Sequence, residues 1–315
     1  MNYQWYPGHM TKAKRQMQED IKLIDLVIEL VDARIPLSSR NPDIDDLGKN
    51  KARLILLNKA DLADEKKNKL WKAYFQEQGF FVVELDARKR NSMKLIQDTI
   101  LESCKEKIER DRRRGIKNRP IRAMVVGIPN VGKSTFINTF AGKAAAKTGN
   151  RPGVTKGKQW IRLNKNVELL DTPGILWPKF DDQAVGMRLA WIGSMNDSIL
   201  NIDELSLDLI AYLTENYPGA LSERYRIQKT GESTDASQEK EEDTAQRNQA
   251  AADEECRKPV EVLSQIAKNR NCIRSGGEID YSKAAVLLLE DFRSGRLGRL
   301  TMENPAIYDT NGFDS

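Results

Sequence analysis

The segment Gly127-Ile128-Pro129-Asn130-Val131-Gly132-Lys133-Ser134 constrains this chain more than any other stretch. It has the form G-x-x-x-x-G-K-S, follows the apolar run Ala123 to Val126, and precedes a helical pattern carrying Phe136, Ile137 and Phe140. Glycines at both ends let backbone N–H groups close around an anion, and the N-terminus of the following helix favours negative charge. The pattern predicts a strand, a phosphate-cradling loop and a helix within an α/β sheet. Asn130, Val131, Gly132, Lys133, Ser134 and Thr135 would surround the phosphates. Lys133 would reach the β and γ groups, and the Ser134 hydroxyl would bind Mg²⁺.

Two segments downstream complete that chemistry. Asp171-Thr172-Pro173-Gly174 closes the apolar run Val167 to Leu170. A carboxylate at a strand's C-terminal end can hold the Mg²⁺ shell, and the Gly174 N–H can meet the γ-phosphate. Thr155 lies between the two motifs, in a stretch from Thr148 to Gly157 rich in Gly, Lys and Thr. There a switch threonine would complete the Mg²⁺ coordination while the γ-phosphate is present.

The base is read upstream. Asn58-Lys59-Ala60-Asp61 has the form N-K-x-D. The Asp61 carboxylate can accept from both N1–H and the 2-amino group of guanine. Adenine lacks that amino group and offers a bare N1 acceptor, so the carboxylate would be left unsatisfied, at a cost of at least about 1–3 kcal/mol. The expected nucleotides are therefore GTP and GDP. Asp86-Ala87 ends the run Phe80 to Leu85, where a second base-contacting motif, commonly Ser-Ala, would stand; the Ala87 N–H would face guanine O6. The guanine motif precedes the phosphate loop, a circular permutation of the usual order. A parallel sheet tolerates this, because the same strand ends can converge under different connections.

Ile175 follows Gly174, where Ras-like enzymes place a glutamine that orients the attacking water. Isoleucine cannot do so. The single histidine, His9, lies in Trp5-Tyr6-Pro7-Gly8-His9-Met10. It has two readings: a structural residue at a helix start, or the group that orients water when the N-terminal segment folds over the γ-phosphate. The expected catalytic residues are His9 and Lys133.

Apolar periodicity predicts helices over 11–24, 65–77, 92–113, 181–195, 204–216, 260–269 and 281–294. Strands are expected over 26–31, 53–57, 80–85, 123–126, 158–163 and 167–170. The fold class is α/β: a P-loop GTPase fold with permuted motif order over residues 1–200, then a small all-α domain over 201–315. Residues 228–257 have too few apolar side chains to offset ordering entropy, and are expected to be a disordered insertion. Residues 232–255 carry a net −7, which leaves +12 on the rest of a chain whose overall charge is +5. Such an excess suits a polyanionic partner. A strip over 105–122 with nine basic and three acidic side chains is either a solvated helix end or an RNA-facing surface. Cys104, Cys256 and Cys272 have neither disulfide nor zinc spacing. The apolar runs are too short to cross a bilayer and no signal-peptide pattern begins the chain, so a cytoplasmic protein with no membrane partner is expected; it is also expected to be a monomer.

With these residues in place, the chain resembles the bacterial ribosome-biogenesis GTPase A family, also called YlqF. The resemblance rests on Gln4-Trp5-Tyr6-Pro7-Gly8-His9-Met10, Asp32-Ala33-Arg34-Ile35-Pro36, the permuted motif order and Asp291-Phe292-Arg293-Ser294-Gly295-Arg296-Leu297-Gly298-Arg299. It runs from Tyr3 to about Leu300 except for the acidic insertion. It implies a GTPase that binds the large ribosomal subunit late in assembly, a helical C-terminal domain that contacts ribosomal RNA, and hydrolysis assisted by His9. Relatives with asparagine at the place of Asn130 often use K⁺ near the phosphates, which extends here as a hypothesis. Two other functions fit the motifs: a GTP-dependent RNA-binding scaffold that needs no turnover, and a metabolic or tRNA-directed enzyme with GTP as accessory. Against the latter, no second cluster of catalytic side chains is visible. Arg293, Arg296 and Arg299 favour an RNA partner, unless they pair with local carboxylates.

Overall fold

The computed structural model describes residues 8–116, 119–142, 144–146, 159–177, 180, 182–227 and 258–306. Thr155 and the acidic stretch 228–257 lie outside the described residues, as does the side chain of His9.

The chain forms two compact units, Met1–Asn196 with Arg299–Ser315, and Asp197–Gly298. The first is built on a six-stranded sheet. Its strands are β1 (Leu26–Asp32), β2 (Ala52–Asn58), β3 (Phe81–Leu85), β4 (Ile121–Val126), β5 (Gln159–Arg162) and β6 (Val167–Asp171), in the order β3-β2-β1-β4-β6-β5. β3, β2, β1, β4 and β6 run parallel. β1 is buried along its whole length, which accounts for its nearly unbroken apolar sequence. The antiparallel strand is β5, joined to β6 by a tight turn. A parallel pairing needs a crossover of about a dozen residues, and residues 163–166 cannot supply one. Asn164 closes the turn instead, its Oδ1 accepting from the N–H groups of Asn166 at 2.8 Å and Val167 at 3.0 Å.

Helices cover the sheet. α1 (Gly8–Asp20) starts earlier than its apolar pattern indicates and ends in a 3₁₀ turn, Ile21–Leu23. α2 (Asp43–Leu47) is too short to show periodicity. α3 (Glu65–Glu77) is capped by Asp64, which accepts from the N–H groups of Lys66 at 2.8 Å and Lys67 at 3.2 Å. It buries Trp71 and Phe75 against Val31, Ile55, Leu57 and Val82. The helix expected over 92–113 is two helices, α4 (Met93–Ser103) and α5 (Lys105–Arg113). The buried stripe of Ile96 and Ile100 stops at Cys104, and α5 buries no residue, so no apolar face holds the two on one axis. α6 (Lys133–Ala141) follows the phosphate loop, and α7 (Gln183–Trp191) follows Asp171-Thr172-Pro173-Gly174.

The second unit holds α8 (Ile202–Asn216), α9 (Ala220–Tyr225), α10 (258–269) and α11 (Tyr281–Arg293). α8 contributes Leu205, Leu209, Ile210 and Leu213 to its core, and α11 contributes Leu288, Leu289 and Phe292. Asp291 is buried there and accepts from Arg224 Nε at 2.8 Å, Tyr225 OH at 3.0 Å and Arg296 Nη1 at 2.8 Å. Arg293 grips Asp197 with two bonds, at 2.7 and 2.8 Å. Residues from Arg299 onward, placed with the helical part by sequence, cluster with the first unit because their hydrogen bonds go there. No helix among the described residues is long and apolar enough to cross a membrane.

Candidate functional site

Five parallel strands bring their C-terminal ends to one edge of the sheet, and four of them lead into the nucleotide motifs. β2 delivers Asn58 to Asp61, β3 delivers Asp86 and Ala87, β4 delivers the phosphate loop, and β6 ends on Asp171. In such sheets ligands bind beyond the carboxyl ends of the strands.

The phosphate loop holds its shape through two glycines that accept no replacement. Gly127 has φ +149°, and a Cβ there would lie 2.5 Å from the Leu30 carbonyl oxygen. Gly132 has φ +102°, and its Cβ would lie 2.4 Å from Asn58 Nδ2. The loop is pinned from both sides. Asn58 Nδ2 donates to the Val131 carbonyl at 2.7 Å. Asn130 Nδ2 donates to the Gly193 carbonyl at 2.7 Å, and Ser194 Oγ to that of Pro129 at 2.9 Å. Asn58 thus acts as a brace between loops. Its Oδ1 also accepts from the Ala87 N–H at 2.9 Å, so the N–H expected at guanine O6 is directed to Asn58.

Lys133 is buried, with Nζ donating to the carbonyls of Gly127 at 2.9 Å and Ile128 at 2.8 Å. Burial pushes its pKa down to about 8, opposed by the Asp171 carboxylate. A phosphate ligand favours the charged ammonium, so above pH 8 binding requires proton uptake. We expect GDP affinity to weaken about fourfold between pH 7 and 8.5. Titration calorimetry in buffers of different ionisation enthalpy checks this, and Lys133→Met should flatten the profile. A Cβ at Gly174 would lie 2.7 Å from Lys133 Nζ, so the loop bearing Gly174 closes directly over the lysine. Asp171 is buried, and Thr172 Oγ1 ties that loop to the Val125 carbonyl at 2.7 Å. The carboxylate of Asp171 and hydroxyl of Ser134 are hard oxygen donors suited to Mg²⁺.

At the base end, Asp61 Oδ1 is buried and accepts no hydrogen bond from the described residues. Its Oδ2 takes Arg88 Nη2 at 2.6 Å. Arg88 also binds Asp86, Nε to Oδ1 at 2.8 Å and Nη2 to Oδ2 at 3.0 Å, and these hydrogen bonds hold the Asp86 carboxyl below its usual pKa. The departure from Ser-Ala at this position therefore carries its own counter-charge.

Lys59 has φ +59° and donates from Nζ to Asp32 Oδ2 at 2.9 Å. Asp32 is 0% exposed, and Arg34, at 1%, binds it through Nε at 2.9 Å and Nη2 at 2.8 Å. Burial alone would raise the Asp32 pKa, but Arg34 and Lys59 together hold it far below the carboxylate range. The signal in the sequence for this support of the guanine motif is a charged pair, Asp32 and Arg34, at the end of a strand that is apolar apart from Glu29.

α1 reaches the other end of the site. Met10 is buried, and its Sδ accepts from the Leu176 N–H at 3.5 Å, two residues beyond Gly174. His9 precedes Met10 in the first turn of α1. Ile175 is 2% exposed and faces the core. The three C-terminal arginines are engaged within the chain: Arg293 with Asp197, Arg296 with Asp291, and Arg299 with the carbonyls of Ala60 and Ala63.

The family described as 50S ribosome-binding GTPase matches residues 122–254. Ribosome biogenesis GTPase A of Bacillus cereus is 48% identical over 305 residues, spanning 97% of this chain and 95% of that protein. Its namesake from Thermotoga maritima is 31% identical over 301 residues, spanning 96% and 94%. Among solved structures, GNP-bound YlqF from T. maritima is similar with a TM-score of 0.58 and 26% identity, over 93% of this chain and 98% of that one.

Proposed function

Because this chain belongs to the ribosome biogenesis GTPase A family and hydrolyses GTP, we propose that it binds the large ribosomal subunit and that hydrolysis times its release late in assembly. The observation that carries this reading is the convergence of a guanine loop, a phosphate loop and Asp171 to Gly174 at one sheet edge, in permuted order. The family's partners are guanine nucleotide and the ribosome. The +12 excess outside the acidic stretch, and α5 with no buried residue, support ribosomal RNA as the surface met, and a cytoplasmic location follows from that partner. The C-terminal arginines contribute less than their sequence suggested, since each is already bonded internally.

In the proposed mechanism Asp61 reads the guanine edge, and Asn58 holds the guanine loop and phosphate loop in register. The N–H groups from Asn130 to Thr135 and the Lys133 ammonium hold the phosphates. Ser134, Asp171 and Thr155 would bind magnesium, partly through water. Held by these oxygen donors, the ion would supply positive charge that offsets the charge developing on the phosphates. Asn130 is the residue that would hold a potassium ion, whose positive charge serves where other GTPases use an arginine. His9 orients the attacking water in place of the missing glutamine.

The test is GTP hydrolysis by the full chain, alone and with purified large or small subunits, in KCl and in NaCl at equal ionic strength. We expect the large subunit to raise the rate about tenfold or more, the small subunit to leave it unchanged, and KCl to exceed NaCl. Equal effects of both subunits would sink the large-subunit assignment, and equal rates in both salts would sink the potassium role. Ile175 favours one alternative, a GTP-dependent RNA-binding scaffold. Tight GTP-dependent binding to the large subunit with no turnover would support it.

A further inference from the structure

The loop from Lys59 to Asp64 makes few bonds of its own. Within the loop Leu62 N–H donates to the Lys59 carbonyl at 2.9 Å, and Ala60 N–H reaches the Leu85 carbonyl at 3.2 Å. The carbonyls of Ala60, Leu62 and Ala63 are met from Arg299 and Leu300, far downstream in the chain, and that of Ala60 also accepts from Asn68 Nδ2 at 3.3 Å. Arg299 Nε donates to the Ala63 carbonyl at 2.9 Å, and Nη2 to the Ala60 carbonyl at 3.1 Å. Leu300 N–H donates to the Leu62 carbonyl at 3.0 Å, and Thr301 Oγ1 accepts from the Asp64 N–H at 3.0 Å. These bonds fall on residues 60, 62, 63 and 64, on both sides of Asp61.

The segment is itself firmly anchored. Leu300, Thr301, Met302 and Glu303 are buried. Met302 N–H donates to the Arg34 carbonyl at 2.7 Å. Glu303 accepts from the N–H groups of Leu37 at 2.7 Å and Ser38 at 3.0 Å, and from the Ser38 hydroxyl. Residues 299–303 thus form a strap from the 34–38 segment, beside the buried partner of Lys59, to the loop carrying Asp61. Gly298 ends the helical unit with φ +98°, and Arg299 is the next residue.

We propose that Arg299 is a positioning residue for guanine recognition: by holding the Ala60 and Ala63 carbonyls at once, it fixes the loop that presents Asp61 to the base edge. The planar guanidinium suits this, because its fork donates in two fixed directions, which a lysine ammonium cannot reproduce. The proposal rests on Asp61 being the guanine-reading carboxylate, and the test separates the two.

Affinities of the full-length chain for GDP and inosine diphosphate are measured at equilibrium. Inosine lacks the 2-amino group and offers Asp61 one donor, so the native chain should prefer GDP by about tenfold or more. Arg299→Ala should weaken GDP about tenfold and cut the preference several-fold. Arg299→Lys should fall between, and carries the test if the alanine variant does not fold. Combining Arg299→Ala with Asp61→Asn should lower the preference no further than Asp61→Asn alone. A lowered melting temperature with unchanged preference in both Arg299 variants would make the strap merely structural and overturn the proposal. An Asp61→Asn variant that keeps the native preference would instead overturn the guanine assignment itself.

Discussion

Replacing Asp32 by alanine is expected to lower the unfolding free energy of the first unit by about 3–5 kcal/mol. That is roughly 10 °C in melting temperature for a domain of this size. The carboxylate sits between Arg34 and Lys59 with no exposed surface, bonded to both and to the Arg34 N–H at 3.1 Å. Removing it leaves two cations facing each other in a low-dielectric site, and the cost is that of desolvated charge. Asp32→Asn keeps the shape but loses the charge, and should fall between. The pH dependence has a definite sign. The folded pKa of Asp32 lies well below its ordinary 3.8, so the stability it confers is complete above about pH 4 and is lost only on further acidification. Denaturant melts at pH 7 and at pH 3 should therefore differ more for the native chain than for Asp32→Ala. The alanine variant should also bind GDP more weakly, because Lys59 holds its left-handed backbone through this pair. Native-like stability at pH 7 would show that the buried pair confers nothing beyond its desolvation cost.

What was legible in the sequence was local. The phosphate loop and N-K-x-D declare themselves because residue types at fixed spacing fulfil a backbone requirement, such as the φ +102° at Gly132. Parallel strands were legible from alternation with helices, whereas the reversal of β5 follows from the shortness of its connection to β6. Periodicity ran α4 and α5 together, because a charged helix keeps helical spacing after its buried stripe has ended. In the sequence Arg299 is simply a cation suited to RNA. Only the tertiary structure shows that its donors meet carbonyls far upstream, and no local pattern encodes a bond across 239 positions. Ala87 makes the same point, since its N–H, expected at guanine O6, meets Asn58 Oδ1 instead.

His9→Ala is expected to lower the single-turnover rate of GTP hydrolysis about 100-fold while leaving GDP affinity within about twofold of native. Water must be oriented by some group near the γ-phosphate. The position that serves elsewhere is Ile175, which is apolar and 2% exposed. Met10 lies against the backbone at Leu176, so the first turn of α1 is held beside the loop that closes over Lys133. His9 is one residue from that contact, and no other histidine exists in the chain to take its place. A conservative variant separates this role from a helix-start role. His9→Gln, which can still hold a water by hydrogen bonds, should recover part of the rate that His9→Ala loses. A His9→Ala variant that melts at a lower temperature yet hydrolyses GTP at the native rate with the large subunit present would make the histidine structural, and the water would then have to be oriented by the ribosome itself.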